Sequence, residues 1–167
     1  MRTIGVISDT HGLLRDEAVA ALAGSDLIVH AGDVGDDGIL RRLEEIAPLR
    51  AVHGNTDHGP VLAALPATIV VDLTAPDGAP SAGGHGPLIY VLHELEHLDL
   101  DPRAAGFGAV VYGHTHVPTI DRKDQVLYFN PGAAGHRRFK LPVTVGRLRV
   151  AEDGSVEGEI VYLEVGE

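Results

Sequence analysis

The chain has 167 residues, 44% of them hydrophobic and 22% charged, which fits one globular α/β-sized domain spanning 1–167 and excludes a disordered chain. It contains no cysteine, so disulfides, iron–sulfur clusters, thiolate zinc sites and a cysteine nucleophile are excluded. Thirteen basic residues against 24 acidic ones give a net charge of −11, which argues against general nucleic-acid binding, because such binding draws on counterion release from phosphates.

In chain order, Thr3-Ile4-Gly5-Val6-Ile7-Ser8 is a continuous apolar run and predicts a strand buried on both faces. It meets Asp9 too early for a signal peptide, so a cytoplasmic protein is expected. Leu14, Ala18, Val19 and Leu22 recur at helical spacing, and Gly24 stops that helix. Leu27 to His30 predicts a second strand. Ile39, Leu40, Leu43 and Ile46 mark a second helix ended by Pro48, and Leu49 to His53 predicts a third strand. This β-α-β-α-β order implies a parallel sheet covered by helices.

The second half reads as richer in strands: Ile69–Val71, Leu88–Leu92, Val110–Tyr112, Val126–Phe129, Thr144–Val150 and Val156–Leu163. Between the first two, Thr74 to Pro87 holds four Gly and three Pro and predicts a loop that could reach and narrow a site; His85 within it is expected at the surface. Asp101 to Gly106 is a short helix candidate, and Glu152 to Ser155 a hairpin turn. No run of about 18 apolar residues occurs, so no membrane partner is expected.

Ten histidines in a chain with three Phe and no Trp call for a position test. Asp9-Thr10-His11 follows the first strand, Gly32-Asp33 the second and Gly54-Asn55 the third. Leu88–Leu92 runs into His93, and Val110–Tyr112 into Gly113-His114-Thr115-His116. Ligands of open α/β sheets bind beyond the carboxyl ends of the strands, so these five clusters share one edge. Seven donors (Asp9, His11, Asp33, Asn55, His93, His114, His116) exceed the four of a tetrahedral zinc and suit two ions sharing a carboxylate. Oxygen and imidazole donors without thiolate fit a Mn, Fe or Zn type of site.

These motifs, with the opening Ile7-Ser8-Asp9-Thr10-His11-Gly12 and a later Asn130-Pro131-Gly132, resemble those of the calcineurin-like metallophosphoesterases, and among them the small YfcE-like branch. The resemblance runs from Met1 to about Arg138. It implies a four-layer α/β/β/α sandwich, with two mixed sheets flanked by helices. It also implies two divalent ions, manganese first and Fe, Zn, Ni or Mg as alternatives. Asp9, His11 and His116 would hold one ion, Asn55, His93 and His114 the other, and Asp33 would bridge them. The implied activity is hydrolysis of a small phosphate ester, a diester more than a monoester, by direct attack of a bridging water activated by the metals. The alternatives are a phosphomonoesterase or nucleotide pyrophosphatase on the same metals, or a non-catalytic scaffold like the retromer subunit that resembles this family.

Two departures bear on mechanism. The residue after Gly54-Asn55 is Thr56, where relatives often carry a histidine that protonates the leaving group; His58 or Asp57 would then take that role, or Asp57 would orient a ligating histidine. His93-Glu94-Leu95-Glu96-His97 replaces a usual His-Gly-His, so either His93 or His97 is the ligand, His93 being favoured. His30 and His53, inside their strands, read as satisfied buried histidines. Arg137 and Arg138 are candidate grips on substrate phosphate, with solvated charge as the plain reading. A homo-oligomer is left open.

Overall fold

The structure is a computed structural model that describes residues 1–84 and 86–166; the expectation for His85 lies outside the described residues. The elements are β1 (Arg2–Ile7), α1 (Asp16–Leu22), β2 (Leu27–His30), α2 (Asp37–Glu44), β3 (Leu49–Ala51), β4 (Thr68–Asp72), β5 (Leu88–Leu92), β6 (Phe107–Val111), β7 (Thr119–Lys123), β8 (Val126–Asn130), β9 (Thr144–Val150) and β10 (Val156–Tyr162). They form two five-stranded mixed sheets. The first runs β10-β9-β1-β2-β3 and the second β4-β5-β6-β8-β7. In the first, β1, β2 and β3 are parallel and β9 is antiparallel to β1. In the second, β5, β6 and β8 are parallel between antiparallel edge strands β4 and β7.

The unbroken apolar runs follow from burial on both faces. Ile4, Val6, Leu27 and Val29 of the first sheet meet Ile89, Val91, Val111 and Phe129 of the second in the core between the sheets. On the outer face, Ile7 and Ile28 pack against Ala18 and Leu22 of α1 and Ile39, Leu40 and Leu43 of α2. Asp36 caps α2 by accepting from the Gly38 N–H at 2.8 Å. The outer face of the second sheet is covered more thinly: Leu92, Val110, Tyr112 and Val126 lie under Leu95 and Leu98 of a single 3-10 turn and under Tyr90 and Tyr128.

Four expectations need correction. Residues 101–106 form turns, not a helix: the Asp101 side chain and carbonyl hold the backbone locally, and Gly106 at φ +88° ends the segment. β7 carries no strand signal in the sequence, because Thr-Ile-Asp-Arg-Lys on an edge is almost wholly exposed and shows no alternation. β3 stops at Ala51, so His53 is half-buried beyond the strand rather than inside it. The described residues of the Thr74–Pro87 loop lie away from the ligand edge. Arg2, at the start of β1, donates to the Leu73 and Ala75 carbonyls, and Gly78 abuts Leu27 at the start of β2 and Arg50 within β3. The loop therefore closes the opposite end of the sandwich. Among the described residues, no helix is long and apolar enough to cross a membrane.

Candidate metal centre

The loops that leave β1, β2, β3, β5 and β6 are stitched together at one rim. Asp9 N–H donates to the Gly32 carbonyl (3.0 Å), His11 N–H to Asp33 (2.9 Å) and Gly113 N–H to His93 (3.0 Å). The sharp turns show in the backbone. Asp9, His11, Asp33, His114 and His116 all have positive φ, between 46° and 72°. Such conformations of non-glycine residues cost about 1–3 kcal/mol each and persist where the surroundings over-determine them. Two glycines make the crowding feasible. A Cβ on Gly54 would collide with the Asp33 carboxylate, and one on Gly113 with the Ser8 hydroxyl and the Asp9 carboxylate.

The donors gather in two groups. Asp9, His11 and His116 bring one ligand atom each to within 4.8 Å of one another, and Asp33, His93 and His114 do the same. Asp33 Oδ2 joins the groups, lying 3.5 Å from His11 Nε2 and 3.1 Å from His93 Nε2. Asp9 Oδ1 lies 3.4 Å from His11 Nε2, 3.3 Å from His116 Nε2 and 3.8 Å from His93 Nε2. Asn55 Oδ1 sits 3.2 Å from His114 Nδ1, so the amide borders the second group. His93 is the imidazole brought into the rim. His97 is exposed on the 3-10 turn and pairs with Glu94 at 3.6 Å.

These atoms crowd one another without bonding. Asp9 Oδ1, His11 Nε2 and His93 Nε2 are buried with no hydrogen-bond partner, as is His116 Nδ1. A buried unsatisfied polar group costs about 1–3 kcal/mol, so three such atoms on one centre are a poor arrangement unless a cation receives their lone pairs. The oxygen and imidazole set fits a hard-to-borderline divalent ion.

Supporting bonds prepare the donors. The His93 Nδ1–H faces the Ala31 carbonyl at 2.7 Å, leaving Nε2 as the ligand atom. Asp33 Oδ1 accepts from Thr56 N–H at 2.9 Å, and Asp9 Oδ2 from Ser8 Oγ (2.7 Å) and His114 N–H (3.0 Å). Burial raises both carboxyls, but neighbours outweigh it. The imidazoles of His11, His116 and His93 and the Ser8 hydroxyl hold Asp9 well below the usual range. His93 and the Thr56 N–H bring Asp33 down to about 2. Burial depresses His93, yet Asp33 and Asp9 win and raise it. Behind the rim, buried His30 accepts the Gly32 N–H at Nδ1 (3.0 Å) and stands 3.1 Å from Thr10 Oγ1, which donates to the Val34 carbonyl (2.8 Å). Burial lowers His30 to about 4. The Asn130 amide donates to the Gly113 carbonyl (3.1 Å) and Thr115 Oγ1 (3.0 Å), bracing the His114 loop.

The remaining nominated residues fall differently. Asp57 does not approach a ligating histidine. Its two oxygens accept from Val34, Gly35 and Gly54 N–H at 3.2, 3.0 and 2.9 Å, and these bonds tie the β2 and β3 loops together. His58 is exposed, with Nδ1 3.1 Å from the Thr56 carbonyl, in a cleft of about 260 Å³ that none of the seven donors lines. Arg137 and Arg138 are exposed on a loop anchored to the rim by Ala134 and Gly135, whose N–H groups donate to Ser8 and Asp9. His30 and Asn130 show how much of the site lies in buried bonds: a histidine two residues before Gly-Asp is the only trace the sequence offers of the first.

An α/β sandwich with clustered carboxylates and imidazoles at the strand ends defines a divalent-metal protein class. The chain belongs to the calcineurin-like phosphoesterase superfamily, whose domain matches residues 1–153. A protein of Methanocaldococcus jannaschii described as a probable metallophosphoesterase is 30% identical over 168 residues, covering 96% of this chain and 81% of that protein. Among solved structures, an archaeal phosphodiesterase shares the fold with TM-score 0.73 at 21% identity, covering 95% of this chain and 99% of that one. Vacuolar Protein Sorting 29 from Cryptosporidium parvum does so with TM-score 0.70 at 18% identity, covering 98% of each chain.

Proposed function

We propose that the protein is a phosphodiesterase working with two divalent ions, manganese favoured, on a small phosphate ester. Asp9, His11 and His116 would hold one ion, Asn55, His93 and His114 the other, with Asp33 shared. The observation that carries this reading is the Asp33 carboxylate set between two donor groups, with Asp9 Oδ1 and His11 Nε2 on one side and His93 Nε2 on the other buried without a hydrogen-bond partner. Bound ions supply Lewis acidity toward phosphoryl oxygens and lower the pKa of water.

The chain's own residues do the rest. His93, fixed through Ala31, and Asp33, fixed through Thr56, present preset donors. Asn55 and His114 are exposed and form the side from which an ester enters. Arg137 and Arg138 lie on the rim-anchored loop with the charge to hold a phosphoryl group. Asp57 is committed to loop-tying bonds and His58 lies in a separate cleft, so the leaving oxygen would take its proton from water. Stripping metal with a chelator should abolish hydrolysis of bis-p-nitrophenyl phosphate, and Mn should restore it. Metal-loaded protein that leaves every activated phosphoester untouched overturns the reading. The fold shared with Vacuolar Protein Sorting 29 favours a scaffold as the second reading; less than one ion per chain on metal analysis would support it.

A further inference from the structure

One cleft opens directly onto the donors. It measures about 280 Å³ and is lined by His53, Asn55, Leu92, His93, Glu94 and His97, among others. Asn55 and His93 belong to the rim, and His93 Nε2 is buried and unpartnered. An ester whose phosphorus sits at the rim must send an organic group somewhere, and this cleft is continuous with the rim whereas the one beside His58 is not. It is smaller than the roughly 300–1,000 Å³ of drug-sized sites, so it suits a small group.

Its charge is opposite to what a phosphate needs. Glu94 lines the cleft, and a ligand atom of it lies within 4.8 Å of one of Glu96 and one of His114, so a second carboxylate stands beside the cleft on the side of the second donor group. Glu94 is mostly buried (16% exposed) and cannot swing away freely, and its partner His97 at 3.6 Å offsets at most one of the two charges. A second anion placed there meets like charge at short range, while a neutral or cationic group does not.

The geometry points to a charge-selective subsite: the cleft between the β3 and β5 loops binds the alcohol portion of the substrate, and Glu94 and Glu96 restrict that portion to small neutral or cationic groups. This inference rests on the phosphoesterase reading and narrows its substrate class to esters of such alcohols, against phosphoanhydrides.

The test uses metal-loaded full-length protein and three probes: p-nitrophenyl phosphorylcholine, bis-p-nitrophenyl phosphate and ADP. Both esters should exceed ADP in kcat/KM by at least about 10-fold. Glu94→Gln with Glu96→Gln should raise KM for the choline ester and shrink the ester-to-ADP ratio, with an unchanged melting temperature. Independently, choline titrated into magnesium-loaded protein should shift the His53 and His97 ring resonances, and the double variant should lose that response. Equal kcat/KM for all three probes, or a choline response that survives in the double variant, overturns the subsite. If no ester is cleaved, the phosphoesterase reading fails while the choline titration still decides the cleft.

Discussion

The two donor groups at the rim differ in enclosure. Asp9 and His116 are buried and His11 is partly so, whereas in the other group only Asp33 and His93 are buried, with His114 and Asn55 open to solvent. The enclosed half takes Asp9 and His11 from the direct continuation of β1, the central strand of its sheet, and His116 from the loop after β6. The open half depends on loops from four strands, β2, β3, β5 and β6. On the proposed reading, the enclosed half would retain its ion and the open half would meet substrate.

Asp33→Asn attacks the element common to both halves and should have the largest effect: metal content falls in both groups, and hydrolysis drops by about 10²–10³-fold or more. Metal analysis beside the bis-p-nitrophenyl phosphate assay checks it; full metal occupancy would dissolve the link between the halves. His114→Ala should strip only the open half. Metal analysis should show roughly half the wild-type content, and a loss of both ions would mean that the enclosed half does not stand alone. His30→Leu removes the bonds to Gly32 and Thr10 behind both halves, leaving buried groups unsatisfied at about 1–3 kcal/mol. It should lower metal affinity about 10–100-fold, read by calorimetric metal titration together with the melting temperature.

The pH dependence of stability sharpens the same point. His30 titrates near 4 when folded, below its ordinary 6.5. As pH falls through 6.5 the unfolded chain takes the proton first, so this contribution is present above 6.5 and drains between 6.5 and 4, by about 3 kcal/mol. Urea unfolding of metal-free protein at pH 7 and pH 4.5 should show the loss, and His30→Leu should flatten it. The smallest effect is expected from Arg137→Ala and Arg138→Ala. Each should raise KM about 2–5-fold, the range of a solvent-exposed charge contact, with kcat little changed; steady-state kinetics would tell.

The rim was legible because its parts obey rules visible in one dimension. Unbroken apolar runs mark strands buried on both faces, and the polar residue that ends each run marks the ligand edge. What stayed hidden depends on distance in the fold rather than in the chain. Asp57 looks catalytic beside Asn55, yet its oxygens are taken by Val34 and Gly35, more than twenty residues away. The Thr74–Pro87 loop seems free to reach the rim until the antiparallel pairing of β4 with β5 fixes it at the other end. β7 gives no periodic signal because only its backbone, paired with β8, makes it a strand.

The uneven cladding of the sandwich carries one last implication. Two amphipathic helices shield the sheet that holds Asp9 and Asp33, while the sheet that delivers His93 and His114 is shielded by one short turn and two tyrosine rings. Amides of β6 and β8 should therefore exchange with deuterium sooner than those of β1 and β2, so thermal opening begins on the imidazole side while the carboxylate side keeps its place.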